Sequence, residues 1–330
     1  MTTVVLAGSE EPANAGRDIR TSPTSTPVKS DKVFFFCLMA ASLIVLVAIG
    51  AIFSFLVANS LPALRYAGVH VLSSDHWAPT GTHPKFGLLG ALVGTVLIAV
   101  IALVVAVPVS LSAALMINEY APRWAKRTLT SVVDLLAVLP SLLYGLWGLL
   151  VLSNQTYGAT KWLSNHATFI PLFREPDATY GQSIFLCGLV VGVMVVPIVT
   201  SVSREVMAQA PREACEAALA LGGTKWGMVT DVILPFARNG ILGGILLGFG
   251  RALGETVAVL LILSQTNLLR SHILGPGGGQ IPALIANAFT SVPPLTQSAL
   301  TLAGLLLFAT ILVLNFLARK IVARPTAVAS

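Results

Sequence analysis

An all-α integral membrane protein with six transmembrane helices is what the sequence predicts, on three observations. Of the 330 residues, 55% are hydrophobic and only 10% are charged, and the mean hydropathy is +0.84; a soluble domain carries about 25% charged residues. The apolar residues gather into six runs, each reaching the ~20 residues that cross ~30 Å of hydrocarbon as a helix. Lys and Arg sit at the ends of those runs and form no continuous stripe. The net charge of +6 therefore argues for membrane flanks and against a nucleic-acid surface.

Residues 1–32 are rich in Ser, Thr, Pro, Gly and charge, without apolar periodicity, and are expected to form a disordered cytoplasmic tail. Lys29 and Lys32 precede the first apolar run, 33–58. That run exceeds the ~7–15 residues of a signal-peptide core and lacks a small-residue cleavage site, so it reads as a retained first transmembrane helix. An external loop, 59–85, leads to a five-helix core over 86–318. Its first span, Phe86 to Asn118, is long, and Pro108 is expected to kink it. Val132 to Leu152, Ser183 to Val202 (with Pro197 near its end), Ile241 to Leu263 and Gln297 to Ala318 are the remaining spans. Residues 319–330 form a second cytoplasmic tail.

Of the 20 Lys and Arg residues, 14 fall in one alternating set of segments, 5 in the other, and Arg251 lies inside a span. The basic excess puts both termini in the cytoplasm. The loops at 59–85, 153–182 and 264–296 are then external, and those at 119–131 and 203–239 internal. All five histidines fall in external loops without metal-ligand spacing. The three cysteines suit small buried hydrophobes better than a disulfide framework.

The internal loop 203–239 carries the clearest soluble element. Arg212 to Leu221 is nearly all strong helix formers. Pro211 suits a first helical position and Gly222-Gly223 an end, and the segment closes at Leu234-Pro235. A membrane-surface helix would show Lys and Arg on its polar face. This one offers Glu213 and Glu216 with small alanines between them, a composition suited to close protein packing.

The fifth span carries Arg251 and Glu255. At about 100° per residue from Gly248, Gly244, Gly240, Arg251 and Glu255 lie near −40°, −80°, −60° and −20°. One glycine lane and both charges thus share a sector, while Gly243, Gly250 and Gly254 cluster opposite. Small residues on both faces let neighbours approach from both sides, which places the helix centrally. A charge at mid-membrane costs about 2.5–3.5 kcal/mol unless paired or wet. Two readings stand: Arg251 and Glu255 neutralise each other at i and i+4, or they border a path for an anion.

Glu216-Ala217-Ala218, three residues, Gly222, nine residues, Val232, one residue and Leu234-Pro235 resemble the EAA loop of importer-type ABC permeases, with Val232 replacing the usual isoleucine. Gly223 stands where alanine is common. Arg251-Ala-Leu-Gly-Glu255 is similar to a string in permeases for tetrahedral oxyanions, and its continuation, with Leu139 to Gly148 and Asn118 to Pro122, looks like the phosphate group, closer to the PstC type than to PstA. The resemblance implies the type I ABC importer (MetI-like) permease fold and half of a phosphate pore. It implies a PstA-type second permease, two cytoplasmic ATPase subunits and an extracytoplasmic phosphate-binding protein as partners. ATPase coupling would fall to Glu213, Glu216, Ala217, Ala218, Gly222, Leu234 and Pro235, and the substrate path to Arg251 and Glu255.

The chain has no Gly-x-x-x-x-Gly-Lys-Ser/Thr phosphate loop. It is therefore expected to be a non-catalytic subunit without a cofactor of its own, ATP and Mg²⁺ being bound by the partner ATPase. A sulfate or molybdate permease and a PstA-type subunit are the near alternatives. A secondary anion transporter would show repeated halves and more spans, and has no use for an EAA-type loop.

Overall fold

The computed structural model describes residues 29–80, 83–174, 180–266, 268–269, 272–290 and 292–322. The tail before residue 29, Arg270 and the residues after 322 lie outside them. The chain divides into two compact units, Met1–Phe53 and Ser54–Ser330. Helix α1 (Lys29–Ala67) begins in the first, where apolar side chains such as Phe34, Ile44 and Leu46 are exposed. It runs past residue 58, through Pro62, so part of the expected loop is helix. Helix α2 (His70–Ser73) is followed by a two-stranded antiparallel hairpin, β1 (Trp77–Ala78) and β2 (Lys85–Phe86), in register Trp77 to Phe86. Phe86 packs edge-on against Tyr66 and Trp77.

The centre of the larger unit is a parallel pair, α3 (Leu89–Leu115) and α7 (Ile184–Met207). Ala91, Thr95, Ala99, Ala102, Ala106, Ser110 and Ala114 recur every three or four residues along α3, and all are buried. This stripe lets α7 lie close, as small residues do between membrane helices. A Cβ on Gly188 would meet Ile101, and one on Gly192 would reach 3.1 Å from the Ala102 carbonyl. Ser110 Oγ donates to the Val196 carbonyl at 3.0 Å, a polar stitch across the pair.

The third span is not the straight run Val132 to Leu152. It comprises α4 (Arg123–Val138), α5 (Ser141–Trp147), a π turn (Gly148–Leu152) and α6 (Ser153–His166), and it bends by 90° between α4 and α5. Pro140 causes the break: it has no N–H to give to the Leu136 carbonyl. The Tyr144 hydroxyl donates to that carbonyl instead, at 2.9 Å.

After α7 come α8 (Arg212–Ala220), α9 (Lys225–Met228), a π turn (Val229–Ile233), α10 (Leu234–Gly254) and α11 (Val257–Ile262). Leu234-Pro235 therefore opens α10 instead of closing the preceding segment, since a proline in the first turn forfeits no helical hydrogen bond. The predicted span Ile241 to Leu263 is broken at Glu255-Thr256. Nor is 264–296 a plain loop: Ile273 and Leu274 are buried, as is the start of α12 (Ile281–Ala288). Helix α13 (Pro294–Val322) packs with α12 through Leu300 and Leu284. Among the described residues, five helices are long and apolar enough to cross a membrane, six if the bent pair is one span.

Candidate functional site

Helix α8 stands at the same end of the bundle as the C-termini of α3 and α7. Cys215 and Ala218 turn inward onto a cluster of Ala114, Met207, Met228, Val229 and Ile233, and Leu234 joins it from α10. Glu213, Glu216 and Ala217 face outward and are exposed, as is Pro235. Gly222 ends the helix at φ +85°, a conformation glycine adopts without the Cβ penalty. Its N–H reaches the Leu219 carbonyl at 3.0 Å, and that of Gly223 reaches Ala218 at 3.1 Å. A Cβ on Gly223 would lie 2.6 Å from the Ala218 carbonyl oxygen, which gives glycine at this position a steric reason. Burial pushes the Cys215 thiol pKa up, and the carboxylates of Glu119 and Glu216 push it the same way.

Three apolar side chains on this surface escaped the sequence reading. Leu221, just past α8, is 90% exposed; Leu219 and Trp226 are exposed beside it. The available signal was large apolar residues within a polar segment between spans. Together with Glu213 and Glu216 they make a small knob with an apolar tip and an acidic flank.

From this knob the chain rises as α10 along α7, the two running antiparallel. Cβ atoms on Gly240, Gly244 and Gly248 would meet Val206, Val202 and Val195 in turn, so this glycine lane packs as its spacing predicts. The second lane does not: nothing lies within 4 Å of the Cβ positions of Gly243, Gly250 or Gly254. Arg251 departs from the helical arithmetic as well. Instead of lying in the packed lane it is exposed, within electrostatic reach of the Tyr144 hydroxyl. Beside Tyr144, an apolar cavity of about 300 Å³ is lined by Leu139, Leu143, Trp147 and Val193.

Glu255 parts from Arg251 because α10 stops at Gly254. Its backbone is extended (φ −67°, ψ 124°) and the residue is 8% exposed. Among the described residues it makes no ion pair with Arg251; its Oε1 instead accepts the Ala258 N–H at 3.2 Å, capping α11. Gln280, fully buried, donates through Nε2 to the Glu255 carbonyl at 2.6 Å and accepts from Ala283 N. The break frees backbone groups that a buried site must satisfy, and these two side chains do so. The buried glycine run that carries Gln280 is fixed to α3: Ile281 N donates to Thr95 Oγ1 at 3.0 Å, and Gly94 has no Cβ to obstruct the Gly279 carbonyl. The i, i+4 pairing is thus replaced by two separate environments.

Comparison with known proteins gives three findings. The family model described as "Binding-protein-dependent transport system inner membrane component" matches residues 106–326. The chain is 36% identical over 327 residues to the phosphate transport system permease protein PstC of Xylella fastidiosa (strain 9a5c), covering 98% of each. It is 37% identical over 297 residues to PstC 2 of Mycobacterium tuberculosis, covering 89% of this chain and 92% of the relative. Among solved structures, a bacterial ABC transporter that imports the acidic polysaccharide alginate matches with TM-score 0.53 at 16% identity, over 89% of this chain and 99% of that one. The inward-facing MetNI methionine ABC transporter matches with TM-score 0.50 at 14% identity, over 71% and 94%. These two likenesses bear on the fold, which is that of the type I importer permeases.

Proposed function

Because the chain belongs to the binding-protein-dependent transport system inner membrane components, we propose that it forms half of the pore of an ATP-driven importer of inorganic phosphate. The observation that carries this reading is the α8 knob, continuous through α9 and the following π turn with the helix bearing Arg251. A helix that offers an apolar tip and carboxylates on its outer face suits a groove on a partner. In this reading the groove belongs to a cytoplasmic ATPase subunit, one of two, which binds ATP and Mg²⁺. Leu221 enters it, flanked by Glu213 and Glu216, while Gly222 turns the chain away. The α8 end is cytoplasmic, as are both termini, and ATP-driven closure switches the pore from inward to outward access.

A PstA-type second permease covers the open lane of Gly243, Gly250 and Gly254, and an extracytoplasmic phosphate-binding protein delivers the anion at the opposite end. The exposed Arg251 then attracts phosphate at the junction of the two permeases. Glu255, buried and capping α11, shapes the wall beside it. The relatives named as phosphate permeases support this anion over others.

The test is radiolabelled phosphate uptake by cells expressing the complete transporter. Excess unlabelled phosphate is expected to abolish uptake, and sulfate or molybdate to leave it unchanged. Inhibition by molybdate but not by unlabelled phosphate overturns the substrate. In the same assay, Glu216→Lys is expected to leave the protein in the membrane while lowering uptake by about tenfold or more, since a like-charge reversal at an interface costs several kcal/mol. Normal uptake in that variant removes the docking role.

A further inference from the structure

Lys225 joins the segment after α8 to a part of the molecule that the chain does not reach covalently for more than a hundred residues. Its Nζ donates to the Glu119 carbonyl and sits over the Tyr120 ring, 4.7 Å from the centroid. Glu119 and Tyr120 belong to a π turn, Met116–Tyr120, that ends α3 and is closed by Ala121 N donating to the Met116 carbonyl at 2.7 Å. Wide turns of this kind often mark functional positions in helices. The turn is also bound to its neighbours. Asn118 Nδ2 donates to the Arg204 carbonyl at 2.7 Å, Lys126 Nζ reaches the Asn118 carbonyl at 3.4 Å, and Arg204 Nη1 reaches Thr130 Oγ1 at 3.4 Å. The turn, the start of α4 and the end of α7 therefore form one knot, with Lys225 attached to it from the α8 side.

What lies beyond the knot gives the contact its meaning. Helix α4 leads from the turn to the Pro140 break, where Tyr144 holds the Leu136 carbonyl. Beyond the break α5 lies close against α11, the helix that follows Glu255: a Cβ on Gly145 would stand 2.9 Å from Ala258 Cα. Two routes thus connect α8 with the break that follows Arg251. One is covalent, through α9 and α10. The other passes from Lys225 to the π turn, along α4, across the Pro140 break to α5 and from there to α11.

We infer that Lys225 is a positioning residue that makes α4 move with the α8 knob, so that a push on the knob reaches the break after Arg251 from both sides. The inference rests on the permease reading above. Lys225 and Tyr120 are both exposed, and exposed charge contacts add little stability. The apolar cluster beneath α8 holds the fold without them, so the contact is free to act on coupling.

The test uses the complete transporter in proteoliposomes, with Lys225→Met, Lys225→Arg and the native chain side by side. ATP hydrolysis is measured with and without phosphate-loaded binding protein. In parallel, the distance between spin labels at Trp124→Cys on α4 and Asp231→Cys beyond α9 is measured without nucleotide and with ATP, with Cys37 and Cys215 replaced by Ser. The native pair is expected to keep one distance through the cycle. Lys225→Met is expected to make that distance nucleotide-dependent and to cut stimulation by the binding protein by about fivefold, with unstimulated hydrolysis and subunit co-purification unchanged. Lys225→Arg, which keeps a cation and a donor, is expected to restore both readings.

A constant distance in Lys225→Met overturns the inference, and so does a fall in stimulation that merely tracks lost co-purification. If phosphate-loaded binding protein fails to stimulate even the native complex, the substrate reading fails. The distance measurement still decides the role of Lys225.

Discussion

Arg251 carries the anion-path proposal, and its surroundings explain why a cation is tolerated there. A guanidinium at mid-membrane costs about 2.5–3.5 kcal/mol when unrelieved. In this chain it is exposed and within electrostatic reach of the Tyr144 hydroxyl, and among the described residues no carboxylate is paired to it. A purely structural arginine would be expected to have its partner within the fold. Arg251→Gln is therefore expected to lower phosphate uptake by about tenfold or more, with the amount of assembled complex unchanged, as read by uptake against co-purification with the other subunits. Parallel loss of both would make Arg251 a scaffold residue. The sequence puts Arg251 near the middle of the run Ile241 to Leu263, whereas the structure puts it in the last turn of α10, apart from Glu255. That separation follows from the stop at Gly254, which puts Glu255 into an extended conformation and redirects its carboxylate to Ala258 N.

At the scale of the element, α10 has two glycine lanes with different fates. The lane against α7 has no spare room: a Cβ on Gly248 would lie 2.7 Å from Val195 Cγ1 and 2.8 Å from Val199 Cγ2. Gly248→Val is expected to destabilise the chain by about 1–3 kcal/mol, as overpacking does, and to lower its thermal midpoint in detergent. Gly250→Ala meets nothing within 4 Å in this chain and is expected to leave that midpoint unchanged. If Gly250→Ala nevertheless lowers recovery of the second permease on co-purification, the open lane is where that permease sits. The spacing of the glycines identified both lanes. Which one this chain covers depends on where α7 lies, and a helical wheel carries no such information.

At the scale of the molecule, the two ends of the bundle differ in kind. One end carries α8, the π turn at Met116–Tyr120 and the polar knot around Arg204. The other carries the hairpin, α6 and the buried glycine run, pinned by Gln280 and Thr95. The proposed orientation puts the first end, which carries the excess of Lys and Arg, in the cytoplasm. Membrane-impermeant thiol labelling of intact cells is expected to modify Lys161→Cys on α6, and to leave Lys320→Cys unmodified until the cells are opened. The reverse pattern would invert the topology and remove the ATPase from α8.

Composition and the lengths of apolar runs sufficed for an α-helical membrane protein, since a helix must satisfy its own backbone and span a fixed thickness. Local chemistry sufficed for α8 as well, because its propensities, its glycine stop and its acidic face are all short-range. The bend at Pro140, the break at Glu255 and the burial of residues 273–284 were not readable in this way. Each leaves backbone groups short of their regular helical partners, and at each a side chain supplies a hydrogen bond. Tyr144 completes Leu136 across the proline, Gln280 completes Glu255 from 25 positions away, and Thr95 completes Ile281 from 186 positions away. Hydropathy records that a segment is apolar enough to be buried. Whether it stays helical there depends on which distant donor or acceptor the packed chain brings to the gap.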